Sequence, residues 1–176
     1  MQKILGYLRK AVHEFDLLQD GDVVAVGVSG GKDSLVLLQG LALLRRFIGI
    51  DYNLKAITLD PGFGGVRTDY SNVAKMCEKL GVEYIQKDTD IGTIVFDIRK
   101  EPHPCSLCAK MRRGALHNAL KERGISKIAL GHHMSDVIET TLLGLFYGAQ
   151  LQTMPPKLRS KNFPGMELIR PLYCVH

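Results

Sequence analysis

The apolar positions of this chain change period several times, and each change marks an element. Ile4, Leu5, Leu8, Val12 and Phe15 recur near three-to-four spacing, with Lys3, Arg9, Lys10 and Glu14 mostly off that face, which predicts an amphipathic helix over residues 2 to 17. Gly21 and Asp22 turn into Val23-Val24-Ala25-Val26-Gly27-Val28, a β-branched run that reads as a buried strand. A helix from about Ser34 to Phe47 and a strand from Leu54 to Asp60 follow, completing a βαβ unit. Its right-handed crossover makes the two strands parallel and puts the intervening loop at their carboxyl ends. Residues 68 to 80 predict a helix stopped by Gly81, Val82 to Gln86 a third strand, and Ile128 to Leu130 a short strand feeding a helix that runs to about Tyr147. Residues 148 to 161 read as an exposed basic connection, and Leu168 to Leu172 as a short strand or extended edge. The pattern is that of an α/β protein with a parallel sheet and helices on both faces.

Two loops at strand ends carry candidate chemistry. Ser29-Gly30-Gly31-Lys32-Asp33-Ser34 joins the first strand to its helix. Paired glycines let backbone N–H groups turn toward a ligand, and the helix N-terminus favours negative charge at the same place, so a polyphosphate fits. The loop is neither a Walker A sequence, since only three residues separate Gly27 from Gly31 and Asp33 intervenes between Lys32 and Ser34, nor a dinucleotide fingerprint. Gly131-His132-His133-Met134-Ser135-Asp136-Val137-Ile138-Glu139 turns from the short strand into its helix and should face the first loop across the crevice. Asp136 and Glu139, three apart on one helix face, can orient a hydrated Mg²⁺ held mainly by phosphates. On spacing alone the histidines would be polar filling at a strand end; opposite a phosphate loop they point to function.

Composition narrows the class. The 176 residues suffice for one domain with a real core, and 45% apolar with 23% charged residues is ordinary for a soluble globular chain. The charged N-terminus is unlike a signal peptide and no apolar run reaches membrane-spanning length, so a cytosolic (cytoplasmic) protein with no membrane partner is expected. A net charge of +5 and a pI near 9.0 allow a polyanion such as RNA as partner. Lys110, Arg112, Arg113, Lys121, Arg123 and Lys127 form either a solvated helix face or phosphate-backbone contacts, and Lys157, Arg159 and Lys161 alternate in a way suited to the same backbone. Of four cysteines only Cys105 and Cys108 are close in sequence, at the start of a helix-compatible segment ending at Gly124. Cys77 reads as a packed core residue. For the pair, a zinc knuckle would need further ligands, a dithiol redox pair needs nothing more, and an iron–sulfur cluster needs thiolates from elsewhere.

The strings SGGKDS, LDPGF, PCSLCAKMRRGAL, LGHHMSDVIETTLL, FYGAQLQTMPPK and IRPL, in this order, resemble the tRNA 2-thiocytidine synthetase family of the PP-loop ATP pyrophosphatases, from near residue 20 to the end. The resemblance implies a Rossmann-like, adenine nucleotide alpha hydrolase-like fold and ATP-dependent adenylation of the C2 oxygen of a tRNA cytidine, followed by its replacement with sulfur. It implies ATP contacts at Ser29, Gly30, Gly31, Lys32, Asp33, Ser34, Thr58, Leu59, Asp60, Gly131, His132, Asp136 and Glu139. Lys32, Asp33 and Asp136 would be catalytic, with Asp33 and Asp136 at Mg²⁺. Cys105 and Cys108 would match the first pair of a [4Fe-4S] cluster held by three cysteines. The family's third ligand lies downstream of the IRPL strand, and Cys174 does not match its place, so a PP-loop domain over residues 1–176, truncated at its C-terminus and with an incomplete cluster, is expected. Expected partners are tRNA and a sulfur donor such as a cysteine desulfurase, and a homodimer is allowed. Two other readings stay open. A lysidine synthetase shares the two loops but does not need the cysteine pair, and a non-catalytic ATP-binding or redox module would bind ATP without releasing pyrophosphate.

Overall fold

A computed structural model of the chain describes residues 1–100 and 103–176. It is an α/β, Rossmann-like structure built on one sheet. The helices are α1 (Gln2–Glu14), α2 (Lys32–Leu44), α3 (Ser71–Leu80), α4 (Pro104–Lys121) and α5 (Met134–Gly148). The strands are β1 (Asp22–Gly27), β2 (Tyr52–Asp60), β3 (Glu83–Asp88), β4 (Lys127–Ala129), β5 (Lys157–Arg159) and β6 (Glu167–Ile169). Among the described residues they lie in the order β3-β2-β1-β4-β6-β5, all parallel except β5, which runs antiparallel to β6.

The two-residue period of β1 divides the core. Val24 and Val26 join Leu8, Leu37, Leu41 and Val73 in the layer under α1, α2 and α3. Ala25, between them, faces the other way and packs with Ile57, Ile128 and the α4 residues Ala119 and Leu120. Both faces are covered, which is why the central strands read as continuous apolar runs. Helix α5 is different. Ile138, Leu142, Leu143, Leu145, Phe146 and Tyr147 are exposed, and Val137 is its buried residue. No helix among the described residues is long and apolar enough to cross a membrane.

Several boundaries differ from the pattern. Helix α2 begins at Lys32, inside the glycine loop, because Gly31 already serves as its N-cap. A π-helical turn, Thr93–Ile98, and a 3₁₀ turn, Phe63–Gly65, stand where periodicity predicts nothing. The expected basic connection contains β5; of the short strand or extended edge expected at 168–172, the short strand is present as β6, interior to the sheet and followed by a 3₁₀ turn, Pro171–Cys174. The charges that disguise β5 are paired. Lys157 Nζ lies 3.4 Å from Asp16 Oδ2 and 3.8 Å from Glu167 Oε2, and Arg159 lies 3.8 Å from Glu167 Oε1.

Lys127, grouped with the basic surface on sequence, is buried at the start of β4. Its ammonium sits 2.5 Å from Asp22 Oδ2 and 3.3 Å from Glu167 Oε2, and donates to the Leu17 carbonyl at 3.2 Å. It thereby ties the first residues of β1, β4 and β6 together. Lys127→Met would leave Asp22 without its cation and take from Glu167 the nearest of its three. Urea unfolding is expected to show a loss of about 3 kcal/mol, the scale on which removing one partner of a buried pair destabilises.

His117 of α4 is buried and stacks on Phe163, with ring centroids 4.3 Å apart and planes at 17°. Burial, then the nearby Arg113 charge, lowers its pKa below the ordinary histidine value of 6.5. The unfolded chain therefore binds a proton before the folded one does, so stability is full above pH 6.5 and falls as the pH is lowered below it. Unfolding free energies measured from pH 7.5 to 5 are expected to fall, and His117→Gln is expected to flatten that slope.

Candidate nucleotide site

The chain leaves the sheet after Val28, whose N–H donates to the Ile57 carbonyl at 2.8 Å. Gly30, at φ +84°, reverses it, and Gly31, extended at φ −73° and ψ 156°, starts α2. Two hydroxyls hold this loop from within. Ser34 Oγ donates to the Gly31 carbonyl at 2.8 Å, Ser29 N–H donates to Ser34 Oγ at 3.3 Å, and Gly31 N–H donates to Ser29 Oγ at 3.4 Å. No side chain caps α2, so the N–H groups of Lys32, Asp33 and Ser34 have no carbonyl behind them. An open helix N-terminus, a left-handed glycine and the exposed Lys32 make a place for an anion.

The second loop lies against the first. β4 pairs with β1 with Ala129 opposite Val26, and two residues on, Gly131 meets the Asp33–Ser34 peptide. A Cβ on Gly131 would stand 3.1 Å from the Asp33 carbonyl carbon and 3.1 Å from Ser34 N, so only glycine allows this approach without displacing backbone. His133 caps α5, and its N–H donates to Asp136 Oδ2 at 2.8 Å. The His133 ring stands between two carboxylates, with Nε2 4.0 Å from Asp33 Oδ2 and Nδ1 3.6 Å from Asp136 Oδ2. Asp33 and Asp136 are thus brought to one imidazole, while Glu139 is exposed farther along α5.

Behind the loops, between the sheet and α4, is a cavity of about 410 Å³. Val28, Ser29, Leu59, Tyr70, Arg113 and His132 are among the residues lining it. Thr58 and Asp60 are turned away from it. Thr58 Oγ1 donates to the Val28 carbonyl at 2.8 Å, and the fully buried Asp60 accepts from Gly62 N–H at 2.9 Å and Thr68 N–H at 2.8 Å. Of these three strand-end residues only Leu59 faces the cavity. Burial, then the Arg170 charge, pushes the His132 pKa down against the opposing pull of Asp136, which favours the neutral ring. The Nδ1 atoms of His132 and His117 are buried without a partner.

Tyr70 and His117 line this cavity although their side chains carry no expectation as site residues from sequence, and Arg112 and Arg113, expected on a solvated helix face or at a phosphate backbone, line it too. A usable signal was present. Ala109, Arg112, Arg113, Leu116 and His117 form one i, i+3, i+4, i+7, i+8 stripe on α4, and that stripe is the cavity wall.

Cys105 and Cys108 occupy the first turns of α4, Cys105 exposed and Cys108 buried against Ile91 and Val95. Cys77 is buried in the α3 layer, and Cys174 packs with the core beneath α1. Burial, then Glu14, raises the Cys174 pKa. Among the described residues no group of three or more His, Cys, Asp or Glu is placed to hold a metal ion. The Cys105–Cys108 pair can offer two sulfur donors, and a three-thiolate set is not completed by the described residues.

The chain shares 42% identity over 179 residues with the tRNA-cytidine(32) 2-sulfurtransferase of Aliivibrio fischeri strain MJ11, an alignment covering 98% of this chain and 56% of that one. Its identity to the enzyme of the same name from Syntrophotalea carbinolica is 42% over 175 residues, covering 99% and 66%. Among solved structures it resembles the U34-tRNA thiolase NcsA from Methanococcus maripaludis with its [4Fe-4S] cluster, at a TM-score of 0.79 and 30% identity, covering 99% of this chain and 59% of that one. The chain thus spans between about half and two thirds of the length of these relatives. The family model described as PP-loop domain matches residues 4–176, which include both loops and every cavity residue named above, and the chain belongs to that family.

Proposed function

We propose that this chain is the ATP-using part of a cytoplasmic tRNA sulfurtransferase that adenylates the C2 oxygen of a tRNA cytidine so that sulfur can replace it. The observation that carries this reading is the uncapped start of α2, held open by Ser29 and Ser34 and abutting Gly131 beside a cavity large enough for a base. The relatives named for cytidine 2-sulfuration support the substrate.

In this reading the N–H groups of Gly30 to Ser34, with Lys32, hold the β- and γ-phosphates, and the adenine lies against Leu59 and Val28. The base oxygen attacks the α-phosphorus, the bond from that phosphorus to the bridging oxygen breaks, and pyrophosphate leaves with the electron pair. A sulfur nucleophile then adds at C2 and AMP departs with the original oxygen. Charge developing on the leaving pyrophosphate is met by donors fixed before reaction, which lowers the barrier electrostatically. Asp33 and Asp136, gathered at His133, are a fitting pair for hydrated Mg²⁺, which would neutralise phosphate charge. Gly131 and His132 fix the distance between the loops, while Thr58 and Asp60 shape the strand end from behind and Glu139 stands at the outer rim. Cys105 and Cys108 would supply two thiolate ligands to a [4Fe-4S] cluster, which would carry the incoming sulfur. A cysteine desulfurase is the proposed sulfur source, and the exposed apolar face of α5 is compatible with a homodimer.

Two outcomes test this reading. Pyrophosphate release from ATP is expected to require tRNA, and Gly131→Ala is expected to weaken ATP binding about tenfold by pushing on the Asp33–Ser34 peptide, with little change in melting temperature. ATP binding with no tRNA-dependent pyrophosphate release would favour a non-catalytic module instead. In anaerobic reconstitution with iron and sulfide, Cys105→Ala is expected to lower iron content and visible absorbance to background while ATP affinity is unchanged. Retention of iron by that variant would remove the cysteine pair from the proposal.

A further inference from the structure

Two aromatic rings, Phe63 and Phe96, are set in the surface of the protein instead of its core. They are 48% and 43% exposed and meet edge to face, with centroids 5.7 Å apart and planes at 72°. The backbone beneath them is tightly fixed. Gly92 N–H donates to the Pro61 carbonyl at 2.7 Å, and a Cβ on Gly92 would stand 2.8 Å from both the Gly62 carbonyl oxygen and Phe63 Cα. Thr89 N–H donates to the Asp60 carbonyl at 2.9 Å, and Arg67 Nη2 donates to Asp90 Oδ1 at 2.7 Å. The 3₁₀ turn and the π-helical turn are thus locked together, and they hold out to water two rings that would gain by burial.

The rings stand beside the cavity. Phe63 comes four residues after Leu59, which lines the cavity, and Phe96 follows Val95, which packs with Ile91, Cys108, Leu59 and Met111. Cys108, Met111 and Ala115 form the stripe of α4 that meets this turn, and Arg112 and Arg113, on the adjoining face, line the cavity. Charge picks out the same place. Lys127 is spent on Asp22 and Glu167, Lys157 and Arg159 face Glu167, and Arg123 donates to the Ala119 carbonyl at 2.9 Å. Lys110, Arg112 and Arg113 are exposed and have no acidic partner among the described residues. Unneutralised cations, exposed rings and the Cys105–Cys108 pair therefore gather around the first half of α4.

We propose that Phe63 and Phe96 are a stacking platform for an unpaired tRNA base flanking the target cytidine, and that Arg112 and Arg113 hold the backbone phosphates between the two. The inference rests on the tRNA reading above. In a base pair the C2 oxygen of cytidine accepts a hydrogen bond from guanine, so it must lose that partner before it can attack phosphorus; enzymes that work on a base act on a single strand or extrude the nucleotide. Bases freed from a stack offer π faces, which aromatic side chains take up with little regard to sequence. Rings alone would suit many partners. Rings bordered by unneutralised arginines suit a polyanion that carries flat apolar groups, and single-stranded RNA is such a polymer.

The test is tRNA binding by the full chain, read by fluorescence anisotropy over a series of salt concentrations. Phe96→Ala is expected to weaken tRNA binding at least about fivefold, the lower end of what one stacked base contributes, with its salt dependence unchanged and ATP affinity within about twofold of wild type. The double variant Arg112→Gln, Arg113→Gln is expected to flatten the slope of log affinity against log salt by about 0.7 for each single-strand phosphate contact, hence about 1.4 in all. Arg159→Gln, which removes a charge on β5 away from the cavity, should leave that slope as it is. Wild-type tRNA affinity in Phe96→Ala overturns the proposal, as does an unchanged slope in the arginine variant or the same flattening per charge in Arg159→Gln. Loss of a dimer in Phe96→Ala by light scattering, with tRNA affinity intact, assigns the rings to a second copy of the chain instead. Should Phe96→Ala not fold, Phe96→Leu decides, since it keeps apolar bulk and loses the ring: tRNA binding weakened at least about threefold supports the platform and wild-type affinity overturns it. Wild-type chain that binds no tRNA overturns the tRNA reading itself, whereas wild-type binding with unaffected variants removes this inference alone.

Discussion

The packing of Gly131 on the Asp33–Ser34 peptide is the constraint from which the rest of the site follows. It exists because β4 lies directly beside β1, which brings the loops after those strands to one point on the sheet edge. A Cβ at 131 would force the Asp33–Ser34 peptide to give by a few tenths of an ångström, shifting the first loop against the second, which carries His133 and Asp136. The contact thus sets the spacing of the carboxylates as well as the position of the helix start. With Gly31 as its N-cap, α2 has no side-chain cap, which leaves its first N–H groups open at this same point.

The two ends of the sheet make opposite use of polar groups. At the amino ends of the strands, Lys127 is paired with Asp22 and Glu167, and Lys157 with Asp16 and Glu167. At the carboxyl ends, the first N–H groups of α2 stand open, the Nδ1 atom of His132 is buried and unpartnered, and Arg170 has no counter-anion among the described residues. One edge is satisfied by the protein and the other is left for a ligand. That asymmetry within a single sheet is stronger evidence for a site than any one residue of it, because local rules are broken together and in one place.

The sequence pattern was sufficient for the central strands and the two loops, since both depend on local signals: β-branched runs, paired glycines and residues that suit a helix start. It failed where partners are distant in sequence. Lys157 and Arg159 alternate like a solvated connection because the acids that neutralise them, Asp16 and Glu167, come from α1's end and from β6. Lys127 read as surface charge for the same reason. Thr58 and Asp60 sit at a strand end, as expected, yet their side chains serve the β1 junction and the loop after β2. Arg170 was visible only as a letter in a strand motif; its burial follows from the Pro155–Pro156 segment folding over it.

Helix α4 does two jobs with one axis. Its first turns carry Cys105 and Cys108, and the stripe that begins at Ala109 and passes through Arg113 to His117 forms the cavity wall. At 1.5 Å of rise per residue, Cys105 and Arg113 are separated by about 12 Å along the helix. That is roughly the span of a nucleoside monophosphate, so under the proposed reaction a base activated at the phosphate end could reach the cysteine end with little movement of the protein. A rigid helix keeps that distance constant in a way a loop could not, and the burial of Cys108 against Ile91 and Val95 anchors its leading end. Under that proposal, adenylation and sulfur transfer would be coupled by the length of one element: shifting the cysteines by even one residue would rotate them about 100° off the stripe.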